Sequence, residues 1–206
     1  GLDGKYPVIR DGFDFADAFK KNGNYEDSAN LLEELIFSTT TSRLTIGAVT
    51  AAPLVQMLGL RNIQLHLFAK SGAGKSALIK AAMSIFGNPT KLRQTFGSTQ
   101  KYLSDLPAKF DGLPVWIDEL QSIDRFQRAK MDEFLYNYEN GLTRGRLDKN
   151  AEEKPRKLFS GTRITSGEQP ITSVGSGQGA INRVIELNLN DIMDDKLARK
   201  IHKMYS

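Results

Sequence analysis

The chain has 206 residues, no cysteine, two histidines and a formal net charge of +4, with 40% apolar and 25% charged residues. That suits one full-sized domain with room for a small appendage, in the composition range of soluble globular proteins. Disulfides and thiolate metal sites are excluded, and His66 and His202 stand too far apart in sequence to suggest zinc.

In chain order, the start Gly1-Leu2-Asp3-Gly4-Lys5 has no apolar h-region, which predicts a cytoplasmic protein. Lacking an initial Met, the sequence reads as a piece of something longer. Residues 1–43 form a partly helical lead-in. Its first apolar cluster is Phe13, Phe15, Ala16 and Phe19. Asp27 or Ser28 can cap a helix with Leu31, Leu32, Leu35 and Ile36 on one face. A Thr-rich break follows at Ser38 to Ser42. Leu44 to Leu58 is apolar but interrupted by Thr45, Thr50, Pro53 and Gln56. It falls short of the roughly 18 clean apolar residues of a membrane span and reads as a buried helix ending at Gly59.

Ile63 to Gly87 is the most informative stretch. Ile63, Leu65, Leu67 and Ala69 alternate with Gln64, His66 and Phe68, a strand pattern that makes His66 a core or sheet-edge residue. Lys70, Ser71, Gly72, Ala73 and Gly74 form a small turn. From Lys75, Ser76 and Ala77 the pattern becomes helical, with Leu78, Ala82 and Ile85 in phase and Gly87, Asn88 and Pro89 as the stop. Strand, loop, Gly-Lys-Ser and helix are the arrangement of a P-loop. Backbone N–H groups and the helix dipole there favour phosphate. Lys75 would reach the β- and γ-phosphates of ATP, and Ser76 would put its hydroxyl on Mg²⁺. One position departs from the pattern: Ala69 stands where a first glycine is usual, which is tolerable if its φ is negative.

A second strand is expected at Leu92 to Phe96, and a helix interrupted near Pro107 between Thr99 and Phe110. Leu113-Pro114-Val115-Trp116-Ile117 then delivers Asp118 and Glu119, 43 residues after Lys75 at Asp118. An apolar strand ending in two carboxylates is a Walker B element. Asp118 would hold the Mg²⁺ shell, and Glu119 would polarise an attacking water. Ser122 or Asp124 starts a helix that Asn140-Gly141 ends. Leu142 to Lys157 has two basic arms around a polar tip and reads as a β-hairpin. Between Gly141 and Arg163 seven basic residues (Arg144, Arg146, Lys149, Lys154, Arg156, Lys157, Arg163) meet three acidic ones (Asp148, Glu152, Glu153). The whole chain's excess therefore sits in this segment. Leu158 to Thr165 leads into another strand with Thr165-Ser166-Gly167-Glu168 at its end. A fifth runs over Asn182 to Leu187 with Arg183 at its start, and 191–206 carries a C-terminal helix.

Five strands alternating with helices predict a three-layer α/β fold with a mostly parallel sheet and a core over 44–190. Ligands of such sheets lie beyond the C-terminal strand ends, where the P-loop, Asp118-Glu119 and Thr165-Ser166 fall.

The runs S-G-A-G-K-S-A, I-F-G-N-P, V-W-I-D-E-L, N-G-x-x-R-G-R, I-T-S-G-E and N-R-V-I-E-L resemble, in this order, the domain-of-unknown-function 927 family. The resemblance covers Leu44 to Leu189. It implies a helicase-like AAA+ ATPase of phage, plasmid and mobile-element replication proteins, related to the minichromosome-maintenance and superfamily 3 helicases. It implies Lys75 and Ser76 as the Walker A pair, Asp118 and Glu119 as the Walker B pair, and a sensor at Thr165-Ser166, with the acting side chain open between the two. Arg183 matches an arginine finger completing a neighbour's site. The hairpin matches one lining a DNA channel, with Arg144, Arg146, Lys149, Lys154 and Arg156 on phosphates.

Plainer roles stand beside these. Arg183 can serve an intrachain salt bridge, the hairpin can be a solvated face, and Arg144 and Arg146 can support a subunit interface. The expectation is a homo-oligomeric ring, a hexamer, that hydrolyses ATP with Mg²⁺ and moves on single-stranded or forked DNA, without a membrane. The alternative is a P-loop ATPase that remodels or loads a protein without touching DNA.

Overall fold

The computed structural model describes residues 15–21, 23–120, 130–143, 145–147, 153–172, 176–189 and 195–205. Three helices open the fold. α1 spans Tyr25–Ser38, α2 Thr40–Thr50 and α3 Ala52–Met57. The expected start of α1 at Asp27 or Ser28 is corrected: Asn24 is the cap, and its side chain accepts from the Glu26 N–H at 2.8 Å. The expected Thr-rich break shrinks to Thr39, whose hydroxyl accepts from the Ser42 N–H at 3.0 Å and starts α2 at once. The single helix expected over Leu44 to Leu58 is two. The chain turns at Ala51, and Pro53 sits in the first turn of α3, where its missing N–H costs nothing.

β1 is Ile63–Phe68, followed by α4 at Lys75–Met83 and α5 at Pro89–Leu92. α4 ends at Met83, short of the stop expected at Gly87, Asn88 and Pro89. Asn88 caps α5, and Pro89 occupies its first turn. β2 (Arg93–Thr95), α6 (Gln100–Asp105), a 3-10 turn at Leu106–Lys109 and β3 (Val115–Asp118) come next. The helix start expected at Ser122 or Asp124 lies outside the described residues. α7 is described over Met131–Glu139. β4 (Arg146–Leu147) and β5 (Glu153–Lys154) pair antiparallel as the expected hairpin, with Arg146 opposite Lys154. β6 is Thr162–Gly167, α8 Gln178–Ile181, β7 Ile185–Asn188 and α9 Asp195–Met204. The fourth strand thus starts later than expected and takes Thr165 and Ser166 inside it.

The main sheet has the order β2-β3-β6-β1-β7, and every pairing is parallel. All five C-terminal ends therefore open on one rim. Two registers position the site. Leu67 lies opposite Ser166, and Ile117 opposite Thr165, which brings Asp118 beside Ser166. Side chains alternate between faces along a strand. Gln64, His66, Arg163 and Thr165 share the face covered by α7, since the Gln64 amide donates to the Leu135 carbonyl at 3.0 Å. Asp118 and Ser166 share the other face with Ser76 of α4. Helices thus cover both faces, as a parallel sheet requires. Trp116, Ile117, Leu65, Leu67, Leu78, Ile79 and Ile164 are buried between the layers. His66 is fully buried on the inner strand β1, a core residue and not an edge one. Among the described residues no helix is long and apolar enough to cross a membrane.

Candidate functional site

The rim of the sheet gathers most of the residues singled out in the sequence. β1 ends at Phe68, and the loop from Lys70 to Gly74 carries the chain into α4. Gly72 and Gly74 have φ of 82° and 86°, the left-handed region where glycine carries no Cβ penalty. Ala69 is not among the positive-φ residues, so the departure from the glycine pattern has no conformational cost. Gly74 precedes the first turn of α4 and makes no side-chain cap, which leaves the N–H groups of that turn directed outward. Lys75 folds back over the loop: its ammonium donates to the Ala69 carbonyl at 2.7 Å and the Lys70 carbonyl at 3.0 Å. Burial lowers its pKa from the ordinary lysine value, and the charges of Glu168 and Asp118 oppose that shift.

Asp118 is the centre of the cluster and is only 4% exposed. The Ser76 hydroxyl donates to its Oδ2 at 3.3 Å, the Ser166 hydroxyl donates to its Oδ1, and the Glu119 N–H donates to Oδ1 at 3.0 Å. Ser76 and Asp118 put a hydroxyl and a carboxylate oxygen at one point from two elements. Hard oxygens in that number fit Mg²⁺, which takes one or two protein ligands and completes its shell with phosphate and water. Glu119 follows at the rim with φ of 65°, the single positive-φ residue other than glycine among those described. Left-handed backbone costs an L-residue about 1–2 kcal/mol.

Arg93 is the residue that sequence reasoning missed. Its Nη2 donates to Glu119 Oε1 at 2.6 Å, and its Nε lies 2.8 Å from Asp118 Oδ2, an ion pair without hydrogen-bond alignment. The guanidinium also lies over Trp116, its cross-strand partner, at 5.8 Å from the ring centroid. The sequence held only a partial signal: an arginine in the strand expected at Leu92 to Phe96, which faces the carboxylates only because β2 pairs with β3.

Other expected residues lie elsewhere. The Thr165 hydroxyl is on the opposite face, 2.8 Å from His66 Nδ1, so β6 brings only Ser166 to Asp118. Arg183 precedes β7, and its carbonyl accepts from Gln64 near the start of β1. It therefore sits at the N-terminal edge of the sheet, opposite the rim that carries the loop from Lys70 to Gly74. There it is engaged within the chain: it ion-pairs with Glu139, donates to the Gly179 carbonyl and stacks over Tyr136 at 4.1 Å. The hairpin rises from the same edge. Leu142 bridges Leu158, and the Gly161 N–H donates to Asn62 Oδ1 at 2.8 Å, just before β1. Arg146 and Lys154 are in register across it, and Arg156 is exposed at its foot. Arg144 and Lys149 lie outside the described residues.

Among solved structures, one titled "SCCmec type IV Cch - active helicase" superposes with a TM-score of 0.66 at 20% identity, covering 91% of this chain and 35% of that one. Another, "The A form apo structure of NrS-1 C terminal region-CTR", has a TM-score of 0.48 at 15% identity and covers 91% of this chain and 44% of that one. The chain thus spans about a third of the first structure, and that likeness is one of fold. No curated protein matches. The family described as Domain of unknown function (DUF927) matches residues 3–158, earlier at both ends than the stretch that carries the resemblance in the sequence, and the chain belongs to that family.

Proposed function

We propose that this chain is the ATP-hydrolysing motor domain of a ring-forming DNA helicase or translocase, acting in the replication of a phage, plasmid or mobile element. The observation that carries the reading is the meeting of Ser76 and Asp118 beneath a glycine turn at a helix N-terminus, with Glu119 next on the rim. Backbone N–H groups from Lys70 to Ala77 would cradle the triphosphate, and Lys75 would exchange its two carbonyl partners for phosphate oxygens. Ser76 and Asp118 would hold Mg²⁺, which when bound offsets phosphate charge. Glu119 would polarise the attacking water, a contribution of about 10² to 10⁴ in rate. Ser166 would keep Asp118 in place.

Arg183 stands at the edge opposite its own P-loop, so the site it can complete is a neighbour's. Fingers of this kind contribute about 10³ to 10⁵ in the better-measured NTPases. Arg144, Arg146, Lys149, Lys154 and Arg156 would contact DNA phosphates from the hairpin.

The test is ATP turnover by wild type, Lys75→Ala and Glu119→Gln, with and without single-stranded DNA across a salt series. Both variants should lose turnover by about 10² or more, and DNA should stimulate wild type less as salt rises. Intact turnover in Glu119→Gln sinks the assignment. Turnover with no DNA binding at any salt favours the reading in which the ATPase works on a protein.

A further inference from the structure

The end of β6 has a side chain left over. Thr165 is tied to His66 on the α7 face, and Ser166 is spent on Asp118. Gly167 has no side chain, and a Cβ there would come within 2.7 Å of Leu120 Cβ. Glu168, the residue that follows β6, is therefore the first side chain past this strand to reach the open rim, and it is exposed. Among the described residues it makes no hydrogen bond or ion pair. The Gly167 carbonyl accepts from the Ala69 N–H at 3.3 Å, so Glu168 stands beside the first residues of the P-loop. Glu119 is held on the other side. Its partner Arg93 belongs to β2, the edge strand farthest from β1. The sheet order thus puts Glu168 between Glu119 and Lys75.

We propose that Glu168 is a second carboxylate of the hydrolytic site, on the P-loop side, and that it takes the proton of the water that Glu119 orients. The inference rests on the ATPase reading above. In the step, the water oxygen bonds to the γ-phosphorus while the bond from that phosphorus to the bridging oxygen breaks, and its electron pair leaves on ADP. The water's proton passes to the Glu168 carboxylate and from there to solvent. A carboxylate in this place also repels the triphosphate, so its removal separates binding from turnover.

The experiment is steady-state ATP hydrolysis, with binding of a fluorescent ATP analogue (mant-ATP), by the full-length wild type, Glu168→Gln, Glu168→Asp, Glu119→Gln and the double Gln variant. Glu168→Gln should lower kcat by at least about tenfold, as a lost proton acceptor does. Its mant-ATP affinity should be equal or tighter, and Glu168→Asp should recover part of the rate. The double variant should be slower than Glu119→Gln alone. An exposed residue with a merely structural role would not lower kcat while tightening binding. A kcat for Glu168→Gln within about twofold of wild type overturns the proposal and leaves the ATPase standing. If wild type neither binds mant-ATP nor turns over ATP, both fall together.

Discussion

Glu119 holds a left-handed backbone at φ 65°, in a position no glycine occupies. Outliers of this kind persist where the surroundings over-determine them, and they concentrate at sites where a side chain must be aimed. Here the restraints are the Asp118 carboxylate on the Glu119 N–H and Arg93 on its side chain. The strain can be measured. Glu119→Gly and Glu119→Ala both remove the carboxylate and its half-exposed pair with Arg93, which is worth at most about 1 kcal/mol. Only glycine relieves the backbone, so Glu119→Gly should be the more stable of the two by about 1 kcal/mol in urea denaturation, with neither turning over ATP. Equal stability would mean that the backbone stores nothing. At this scale the sequence was legible where the pattern is local: Gly74, Lys75 and Ser76 are consecutive, and so are Asp118 and Glu119. Arg93 was not legible, because its partners lie 25 and 26 residues away and depend on the β2–β3 register.

α7 shows what an element can hide. The Arg163 side chain enters from β6 between Phe134 and Tyr138, 3.7 and 4.3 Å from their centroids. It donates to the Gln64 side-chain oxygen and to the Phe134 carbonyl. Gln64 in turn donates to the Leu135 and Arg183 carbonyls, so one buried pair ties α7, β1, β6 and the lead into β7 together. No carboxylate faces the guanidinium among the described contacts, and burial pushes its pKa down from the ordinary arginine value to about 9. Tyr138, buried beside it, is pushed up by the same desolvation. From about pH 9 up to the ordinary arginine pKa the unfolded chain holds a proton that the folded chain has given up. Stability contributed by this group therefore rises with pH across that window. Urea denaturation of wild type and Arg163→Met at pH 8 and pH 10 should show a wild-type advantage that grows at the higher pH. A difference that shrinks would contradict the buried, unpaired assignment. The arginine read as part of a basic stretch in the sequence because charge density carries no depth: Arg163 belongs to the core and Arg156 to the surface. Helix ends were misread for a related reason. Asn24, Asp27 and Ser28 are all good caps, and only packing of Leu31 and Leu35 decides where the first turn falls.

At the scale of the molecule the sheet has two edges with different equipment. One carries the glycine turn from Lys70 to Gly74, Asp118 and Glu119. The other carries Arg183 and the foot of the basic hairpin. In a head-to-tail ring the second edge of one subunit meets the first edge of the next, which gives a heterologous contact that can close. Arg183 sits against Glu139 and Tyr136 within its own chain, so its substitution also loosens local packing. A fall in activity of Arg183→Ala alone therefore does not separate a finger from a strut. Mixing does. Lys75→Ala and Arg183→Ala should each be inactive. Combined one to one under conditions of subunit exchange, they should recover about a quarter of wild-type turnover, because one junction in four then joins an intact Lys75 to an intact neighbouring Arg183. Recovery depends only on residues crossing a subunit boundary, and damage to folding cannot produce it. No recovery, in a mixture shown by mass photometry to contain mixed assemblies, would assign Arg183 to the support of α7 and remove it from the hydrolytic site.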